Sequence, residues 1–291
     1  MFVRRSTELH ESPVVKEVRV EDFDLSSTLE SGQIFRYVRA PGGYLVHHRD
    51  RVFRVWQRGN ALGFEGADEA AVLEYLGLRH NYGEIMRCLP RQGPLGEAVN
   101  LYWGLRILCQ DPWECLICFL CSSAKSIAQI KVVVEGLCRA FGKPVSLGRY
   151  QGFTFPREGT IDDSERLRSI GLGFRARYVY EVNRMVAGGY LSGLAGRPYQ
   201  EARALLMDLP GVGEKVADCV LLFSLGYLEA FPVDRWIKRG MQEAYFHGRK
   251  VSAGKISEFA RRHFGQFAGY AQQYLFHYWR NSSTRLSTQN P

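Results

Sequence analysis

The segment LPGVGEKVADCVLLFSLG, residues 209–226, constrains this chain more than any other feature. Pro210 stops a helix, and the turn residues Gly211, Val212 and Gly213 supply two glycines that allow positive φ and close approach of a ligand to the backbone. An apolar helix follows, with its unpaired N–H groups directed at the turn. The pattern predicts a helix-hairpin-helix that binds the phosphates of DNA. An ordinary turn between two helices is the alternative, which the K-x-A-D continuation makes less favourable.

Lys215 lies in the first turn of that second helix, where a cation is unfavourable beside the positive end of the helix dipole. Helix stability therefore does not explain it. A phosphate contact is one interpretation. The other is a nucleophile, because an apolar site beside a helix N-terminus favours the neutral, reactive amine.

Asp234, in the segment FPVDRWIKRG, is the carboxylate that such chemistry needs. A neutral amine that attacks deoxyribose C1′ displaces the base and leaves a Schiff base. The C2′ proton then becomes acidic, which permits β-elimination of the 3′ phosphate. We expect Asp234 to stabilise positive charge on the sugar, to cap the following helix, or to do both.

Composition bounds the class of protein. The chain has 291 residues with a net charge of +8, a balance that favours a polyanionic partner. It has no apolar run long enough to span a membrane, and its N-terminus lacks the apolar core of a signal peptide. Seven cysteines in a chain of this size suggest free thiols in a reducing compartment. We therefore expect an intracellular, DNA-associated protein, in the cytoplasm and nucleoid or in the nucleus.

The pattern of apolar residues changes from strand-like to helical along the chain. β-Branched and aromatic segments cover 14–20, 33–40, 43–50 and 51–59, and PGG at 41–43 is typical of a hairpin. Helical spacing begins near residue 69, with candidate caps at Asp111, Ser126, Asp162 and Ser252. We predict an α+β fold: an N-terminal antiparallel β-rich domain at 1–98, a helical domain at 99–281 with the hairpin at about 200–225, and a disordered tail at 282–291.

The segment CLICFLC places Cys115, Cys118 and Cys121 at three-residue spacing. A metal site is one interpretation of such spacing. Core packing on an apolar helix is the other, and we prefer it because no fourth ligand has a suitable spacing.

The segment LPGVGEKVADC followed by PVD resembles the signature of the helix-hairpin-helix DNA base-excision glycosylases, and within them the 8-oxoguanine DNA glycosylase/lyases. Four further segments extend the resemblance from about residue 20 to residue 280. They are LESGQIFRY (29–37), CQDPWECLICFLCSS (109–123), GLGFRARYV (171–179) and FAGYAQQYLF (267–276).

The resemblance implies a small antiparallel domain packed on two mainly α-helical lobes, with a flipped base held in the cleft between the lobes. It implies that Lys215 is the Schiff-base nucleophile and Asp234 its electrostatic partner. The carbonyl of Gly32 would accept from the N7–H that 8-oxoguanine has and guanine lacks. The flipped base would lie between Cys219 and Phe276. Gln272 would contact its Watson–Crick edge. Without the resemblance, core packing is the simpler interpretation of Cys219 and Phe276.

The sequence departs from the family pattern where the opposite strand is contacted. Ala124 replaces an asparagine that fills the gap left by the flipped base, and Gln129 replaces an arginine that contacts the opposite cytosine. Phe174 stands for a wedge tyrosine, while Arg175 is kept. Trp236 replaces a histidine that contacts phosphate, a contact that Arg235 or Lys238 could provide instead. We therefore predict a weakened preference for cytosine opposite the lesion.

The prediction is a monomeric bifunctional DNA glycosylase with abasic-site lyase activity that acts on duplex DNA containing 8-oxoguanine. A glycosylase for another damaged base and a non-catalytic helix-hairpin-helix DNA-binding protein remain alternatives. We expect no redox cofactor, no metal bound by side chains and no iron–sulfur cluster, because the cluster-bearing relatives carry four cysteines after the catalytic aspartate and none follows Cys219 here. A structural cation at the hairpin carbonyls is left open.

Overall fold

The N-terminal part of the chain forms a five-stranded antiparallel sheet in a computed structural model that describes residues 15–122 and 125–288. The strand order is β1-β5-β4-β3-β2, so β1 and β2 are the edges. The strands are β1 Lys16–Arg19, β2 Tyr37–Ala40, β3 Gly43–His48, β4 Arg51–Arg58 and β5 Ala61–Glu65. A separate hairpin is formed by β6 Pro144–Leu147 and β7 Tyr150–Phe153.

The predicted strands are present, but their bounds and number differ. The hairpin at PGG is confirmed, since Ala40 pairs with Gly43. The strand expected at 33–40 begins only at Tyr37. Strand β5 was missed because its segment contains Gly63, which is unfavourable in strands. The glycine is needed there: a Cβ would lie 2.3 Å from the Trp56 side chain on the paired strand.

The described residues include thirteen α-helices. They are α1 Leu25–Glu30, α2 Glu69–Tyr75, α3 Tyr82–Cys88, α4 Gly93–Leu101, α5 Pro112–Cys121, α6 Ile127–Phe141, α7 Ser164–Leu167, α8 Arg175–Val186, α9 Tyr199–Met207, α10 Glu214–Ser224, α11 Arg235–Tyr245, α12 Ala253–Phe264 and α13 Ala268–Thr288. None of the described helices is both long and apolar enough to cross a membrane.

Side chains cap the helices largely where the sequence indicated. Asp111, Ser126 and Ser252 accept from backbone N–H groups three residues ahead, which confirms these caps. Asp162 is not a cap. Its neighbour Asp163 has the extended backbone that a cap needs and accepts from the Arg166 N–H at 2.9 Å.

Two hydrophobic cores form, one under the sheet and a larger one among the helices. The first joins the sheet to α1 and α2 and also contains Leu108. The second already includes Tyr82 and the buried faces of α3 and α4. The predicted domain boundary at 98/99 lies inside α4. The two cores do not divide at one point of the chain, since Phe35 belongs to the second core and Leu108 to the first.

Helix α5 lies at the centre of the larger core. Nine of its ten residues are buried, including Cys115, Cys118 and Cys121. Burial raises the pKa of Cys121 to about 12, and the pKa values of the other two thiols are raised further. Within the described ranges, no three His, Cys, Asp or Glu side chains are grouped to hold a metal ion. The three cysteines are core residues.

A buried ion pair ties the sheet to the helical core. Arg36 donates to Glu114 of α5 at 3.2 Å and to the Nδ1 atom of His47 at 3.1 Å. Burial, together with the charge on Arg36, lowers the pKa of His47 to about 3. A neutral imidazole that accepts at Nδ1 carries its proton on Nε2, which lies 2.7 Å from the Tyr150 hydroxyl. This network fixes the small domain against α5.

The C-terminal segment differs from its prediction. Helix α13 continues to Thr288, so the disordered tail predicted for 282–291 is wrong for 282–288. The segment contains no proline before Pro291 that would break the helix. Asn281 donates to the Tyr102 hydroxyl at 3.0 Å, and the Ser282 hydroxyl donates to the Tyr278 carbonyl of the same helix at 2.9 Å. Residues 289–291 lie outside the described part of the chain.

Candidate active site

Helices α9 and α10 and the turn between them form the predicted helix-hairpin-helix. Gly211 has φ of 77°, and a Cβ there would lie 2.6 Å from the Tyr178 ring, so the turn requires glycine twice over. Val212 is buried and anchors the turn in the core. Gly213 is the N-cap of α10 and makes no side-chain cap. A Cβ added there would have no other atom within 4 Å. The first N–H groups of α10 are therefore available to an anion.

Lys215 is the second residue of α10, and its side chain lies over an aromatic ring. Its Nζ lies 4.7 Å from the centre of the Phe119 ring and donates to Ser122 Oγ at 3.1 Å. Phe119 and Ser122 lie at the end of α5, and Phe119 stacks on Phe223 behind the amine. The side chain is half-buried. The amine therefore combines an apolar contact, a neutral hydrogen-bond partner and the positive end of α10.

Asp234 has the capping role that the sequence left open, while its role at the sugar stays a prediction. It is the N-cap of α11, and its carboxylate accepts from the Ile237 N–H at 2.8 Å. Burial raises its pKa, while the Ile237 N–H and the charge of Lys215 oppose that rise. The carboxylate is therefore close enough to Lys215 to interact with it electrostatically, and it remains fixed by the helix end.

A buried carboxylate supports the hairpin from behind. Asp218, one turn after Lys215, accepts from the Tyr199 hydroxyl at 2.7 Å and from Arg203 Nε at 2.9 Å, both on α9. Arg203 also lies 3.6 Å from Glu214. Since a buried charge requires a partner, this pair holds α9 and α10 in one orientation. The D of K-x-A-D thus has a structural role.

Gly32 follows α1 in a conformation that side chains rarely adopt. Its φ is 83°, and a Cβ would lie 2.6 Å from Arg280 Nη1, 3.0 Å from Phe276 Cε1 and 3.5 Å from Ile127 Cδ1. Glycine is therefore required both by the backbone and by the space. The structure brings Gly32 and Phe276 together although 243 positions separate them in the sequence. Within the described ranges, no hydrogen bond is made to the Gly32 carbonyl.

The residue after Gly32 fixes this turn. Gln33 is fully buried, and its Nε2 donates to the carbonyls of Thr28 and Arg106 at 3.0 and 2.8 Å. Its Oε1 accepts from the Leu108 N–H at 2.8 Å. Since every polar group of this amide is paired, the Gly32 peptide is held by a rigid buried network.

The other two predicted base-contacting residues on α13 are Gln272 and Phe276. Gln272 is 4% exposed and donates to the Pro232 carbonyl at 3.2 Å, two residues before Asp234. Its Oε1 is buried and has no hydrogen-bond partner in the part of the chain that the structure describes. Phe276 lies one turn further along α13 and is partly exposed. An unpaired buried acceptor beside a partly open ring is a site for a ligand that donates.

Cys219 lies one turn beyond Lys215 and is buried. Burial raises its pKa to about 12, so the thiol is protonated near neutral pH. Lys215 and Asp234 both act on it electrostatically, with opposite signs. The thiol is therefore a small apolar group of the core, and its place against a base stays a prediction.

Comparisons with known proteins find DNA glycosylase relatives. The family model for the 8-oxoguanine DNA glycosylase N-terminal domain matches residues 16–116. The chain is 37% identical over 202 residues to a probable N-glycosylase/DNA lyase of Methanothermobacter thermautotrophicus, over 62% of this chain and 64% of that protein. It is also 37% identical over 226 residues to N-glycosylase/DNA lyase OGG1 of Arabidopsis thaliana, over 72% and 61%. The chain thus spans somewhat less than two thirds of these two relatives.

A solved structure covers nearly the whole chain. The 8-oxoguanine glycosylase/lyase of Clostridium acetobutylicum, in complex with double-stranded DNA that contains cytosine opposite 8-oxoguanine, superposes with a TM-score of 0.88 and 32% identity. The match covers 94% of this chain and 99% of that one. The chain belongs to the 8-oxoguanine DNA glycosylase/lyase family. The α+β fold predicted from the sequence is confirmed with it.

The predicted wedge of this family member is exposed. Phe174 is 68% exposed and follows a bend with positive φ at Gly171 and Gly173. Arg175 is buried, with its guanidinium carbon 4.4 Å from the centre of the Phe174 ring. Lys125 donates to the Gly171 carbonyl at 3.3 Å and so braces the bend. Arg175 therefore supports the ring, and its contact with DNA stays a prediction.

The residues that depart from the family pattern lie at the start of α6 and α11. Gln129 is exposed, and its side chain completes a capping box by accepting from the Ser126 N–H at 2.8 Å. Ala124 lies outside the described residues. Arg235 is exposed, with its guanidinium carbon 5.1 Å from the centre of the half-buried Trp236 ring. The DNA contacts predicted for these residues stay predictions.

Sequence reasoning missed two residues of the site. Ser122 contacts the Lys215 amine, and Arg280 contacts Gly32 and Phe276. Ser122 lies within the quoted segment CQDPWECLICFLCSS, so its position after a buried helix was the available signal. Arg280 is four residues after Phe276, a spacing that places both on one helix face. The cation left open at the hairpin stays a prediction; the turn would offer it carbonyl oxygens, the ligands that hard cations prefer.

Proposed function

We propose that the protein excises 8-oxoguanine from duplex DNA and then cleaves the strand on the 3′ side of the abasic site. The observation that supports this most is the environment of Lys215. The amine lies on the Phe119 ring at the N-terminus of α10, within electrostatic reach of Asp234 and next to the buried Cys219. Simple phosphate binding requires neither the apolar floor nor the carboxylate.

Base removal begins with attack of the neutral Lys215 amine on C1′ of the flipped nucleotide. The C1′–N9 bond breaks, and its electron pair leaves with the base, which takes up a proton. Positive charge develops on the sugar, and the Asp234 carboxylate stabilises it from a fixed helix cap. The nitrogen then loses one proton, and the C1′–O4′ bond opens with its electron pair on O4′, which takes up a proton, to give a protonated Schiff base between Lys215 and C1′.

Strand cleavage uses the same covalent bond. The protonated imine acidifies C2′, a base removes the C2′ proton, and the C3′–O bond breaks with its electron pair on the phosphate oxygen. Water then hydrolyses the imine and restores the Lys215 amine. The open N–H groups at the start of α10 bind the backbone phosphates throughout.

Selection of the damaged base rests on two open acceptors. The Gly32 carbonyl fits the N7–H of 8-oxoguanine, which guanine lacks, and the Gln272 Oε1 fits donors on the Watson–Crick edge. A buried acceptor without a donor costs about 1–3 kcal/mol, so guanine leaves one acceptor unpaired and meets it with its own lone pair. One proton therefore decides which base is favoured.

Borohydride trapping tests this proposal. We expect the protein to form a covalent adduct with a duplex that contains one 8-oxoguanine, and Lys215→Gln to form none. Lys131→Gln is the matched control, because Lys131 is also a partly buried lysine over an aromatic ring, with Nζ 3.5 Å from the centre of Tyr37. That variant retains the adduct.

Three results would contradict the proposal in whole or in part. An adduct that persists in Lys215→Gln would assign the nucleophile elsewhere. Tight binding of the lesion duplex with no adduct and no base release would make Lys215 a phosphate contact, and the protein a DNA-binding module. Adducts with a different damaged base and none with 8-oxoguanine would leave the chemistry intact and change the substrate.

We further propose that the preference for cytosine opposite the lesion is weak. Gln129 uses its side-chain oxygen in the capping box of α6, and Ala124 has no group that could pair with an orphaned base. Near-equal single-turnover excision of 8-oxoguanine opposite all four bases would support this. A strong cytosine requirement would reject it.

A further inference from the structure

Arg280 lies between the Gly32 turn and the ring of Phe276. Its Nη2 donates to the Glu30 carbonyl at 2.7 Å, at the end of α1. Its Nη1 lies 2.6 Å from where a Gly32 Cβ would be, and its guanidinium carbon lies 5.2 Å from the centre of the Phe276 ring. One planar group therefore contacts the peptide turn that precedes the base acceptor and the ring that faces the base.

Helix α13 holds the Gly32 turn at two successive carbonyls. Arg280 takes the carbonyl of Glu30, and Gln273 Nε2 donates to the carbonyl of Ser31 at 2.9 Å. The next carbonyl, that of Gly32, is left open within the described ranges. Fixing the Glu30 and Ser31 carbonyls holds the chain that leads into Gly32, so the φ and ψ angles of Gly32 are the remaining freedom of its own carbonyl.

The side chain of Glu30 is bound to the sheet. The Glu30 carboxylate accepts from Arg39 of β2 and from the Tyr44 hydroxyl of β3, the latter at 2.8 Å. These bonds lower the pKa of Glu30 against the effect of burial. The chain of contacts runs from the sheet through Glu30 to Arg280 and Phe276, so the guanidinium links the small domain to the face of α13.

An arginine at this position has a cost that packing alone would not require. Arg280 is partly buried, and burial lowers its pKa. A leucine or methionine could fill the volume without desolvating a charge. Arginine alone offers a rigid planar fork that donates to a carbonyl while its face lies on an aromatic ring.

We propose that Arg280 is a positioning residue that sets selectivity for 8-oxoguanine by fixing the Gly32 carbonyl relative to Phe276. The proposal rests on the function proposed above. Discrimination by one N7 proton depends on where that acceptor lies. If the Gly32 peptide moves, 8-oxoguanine loses its hydrogen bond and guanine loses its repulsion. The ratio of the affinities for the two bases therefore falls by a larger factor than either affinity alone. A misplacement of about 1 Å can cost about 100-fold in rate.

Arg280→Met tests this, because methionine keeps an unbranched apolar side chain and removes every donor. Two quantities are measured. The first is the ratio of affinities for lesion and undamaged duplexes in a Lys215→Gln background. The second is the single-turnover rate of strand cleavage at a preformed abasic site. We expect the affinity ratio to fall by about tenfold or more, while abasic cleavage, which needs no base contact, falls by no more than about threefold.

Two further variants separate positioning from folding. Arg280→Lys keeps the charge and a donor, and we expect it to restore part of the affinity ratio. Arg262→Met is the matched control, since Arg262 is an exposed arginine of α12 paired with Glu258 at 3.5 Å, and we expect no change. If Arg280→Met does not fold, the Arg280→Lys variant alone must show a reduced ratio for the proposal to stand.

Equal losses in selectivity and abasic cleavage would overturn the proposal, because they would show general damage to the site. An unchanged affinity ratio in Arg280→Met would also overturn it. Failure of the proposed function is a separate result: the otherwise unmodified protein would then form no borohydride adduct with either lesion or abasic DNA.

Discussion

The two sides of the pocket are built in different ways. The reactive side consists of Lys215 and Asp234, each at the start of a helix, with Ser122 and Phe119 at the end of α5. The recognition side consists of a peptide turn after α1 and one face of α13, which are about 240 residues apart in the chain. Helix ends supply the charge and the dipole on one side, and long-range packing supplies the shape on the other.

The difference teaches how chemistry and selectivity can be altered separately. A substitution on the reactive side changes charge at the sugar and should affect every substrate alike. A substitution on the recognition side changes where one carbonyl lies and should affect one base more than another. The two sides are linked, since Gln272 donates to the Pro232 carbonyl and Asp234 acts electrostatically on Arg280, so combined changes need not be additive.

The largest effect is expected on the reactive side, from Asp234→Asn. Asparagine keeps the cap on α11, because its side-chain oxygen can accept from the Ile237 N–H, but it removes the charge. We expect single-turnover excision to fall by about 100-fold or more, with intact folding by circular dichroism. A loss of less than about threefold would show that Asp234 is only a cap.

The pH dependence of the same variant sharpens this test. Burial raises the pKa of Asp234, so its ionised form is less favourable in the folded state than in the unfolded state. Any stability linked to this group is present at low pH and is lost as pH rises through the raised pKa. Asp234→Asn should therefore not lower the midpoint of thermal unfolding at neutral pH, and the acid limb of the excision rate should disappear. A lower midpoint would contradict this account.

The next effect is expected on the recognition side, from Gly32→Ala. The new methyl group would meet Arg280 and Phe276 at a φ of 83°, so the peptide must shift. We expect the preference for 8-oxoguanine over guanine to fall by about tenfold or more, measured as an affinity ratio. Gly59→Ala is the matched control, since Gly59 also has positive φ, 56°, with nothing within 4 Å of its Cβ. Equal effects of the two changes would reduce the role of Gly32 to backbone strain.

The smallest effect is expected from Ser122→Ala, again on the reactive side. It removes the hydroxyl that accepts from the Lys215 amine at 3.1 Å and leaves the Phe119 contact intact. One hydrogen bond is worth about 0.5–1.5 kcal/mol, which corresponds to a change of about two- to tenfold in adduct formation. The change should be the same for lesion and abasic duplexes. A change confined to the lesion duplex would blur the division between the two sides.

Sequence patterns predicted the reactive side better than the recognition side. The glycine turn, Lys215 and Asp234 lie within 24 residues of one another, and their roles depend on helix ends that caps and glycines mark locally. Gly32 and Phe276 were assigned through a family resemblance, because no local pattern relates a turn to a helix so far along the chain. Arg280 was missed for the same reason.

The sequence by itself determined the α+β class, the hairpin and three of the four predicted helix caps, because these depend on neighbours within a few residues. Only the tertiary structure decided the rest. It placed Leu108 in the core under the sheet, extended α13 to Thr288, used Gln129 in a capping box and placed Arg280 beside Gly32 and Phe276. The physical reason is that packing free energy depends on which surfaces meet, and a linear pattern specifies the surfaces without specifying their partners.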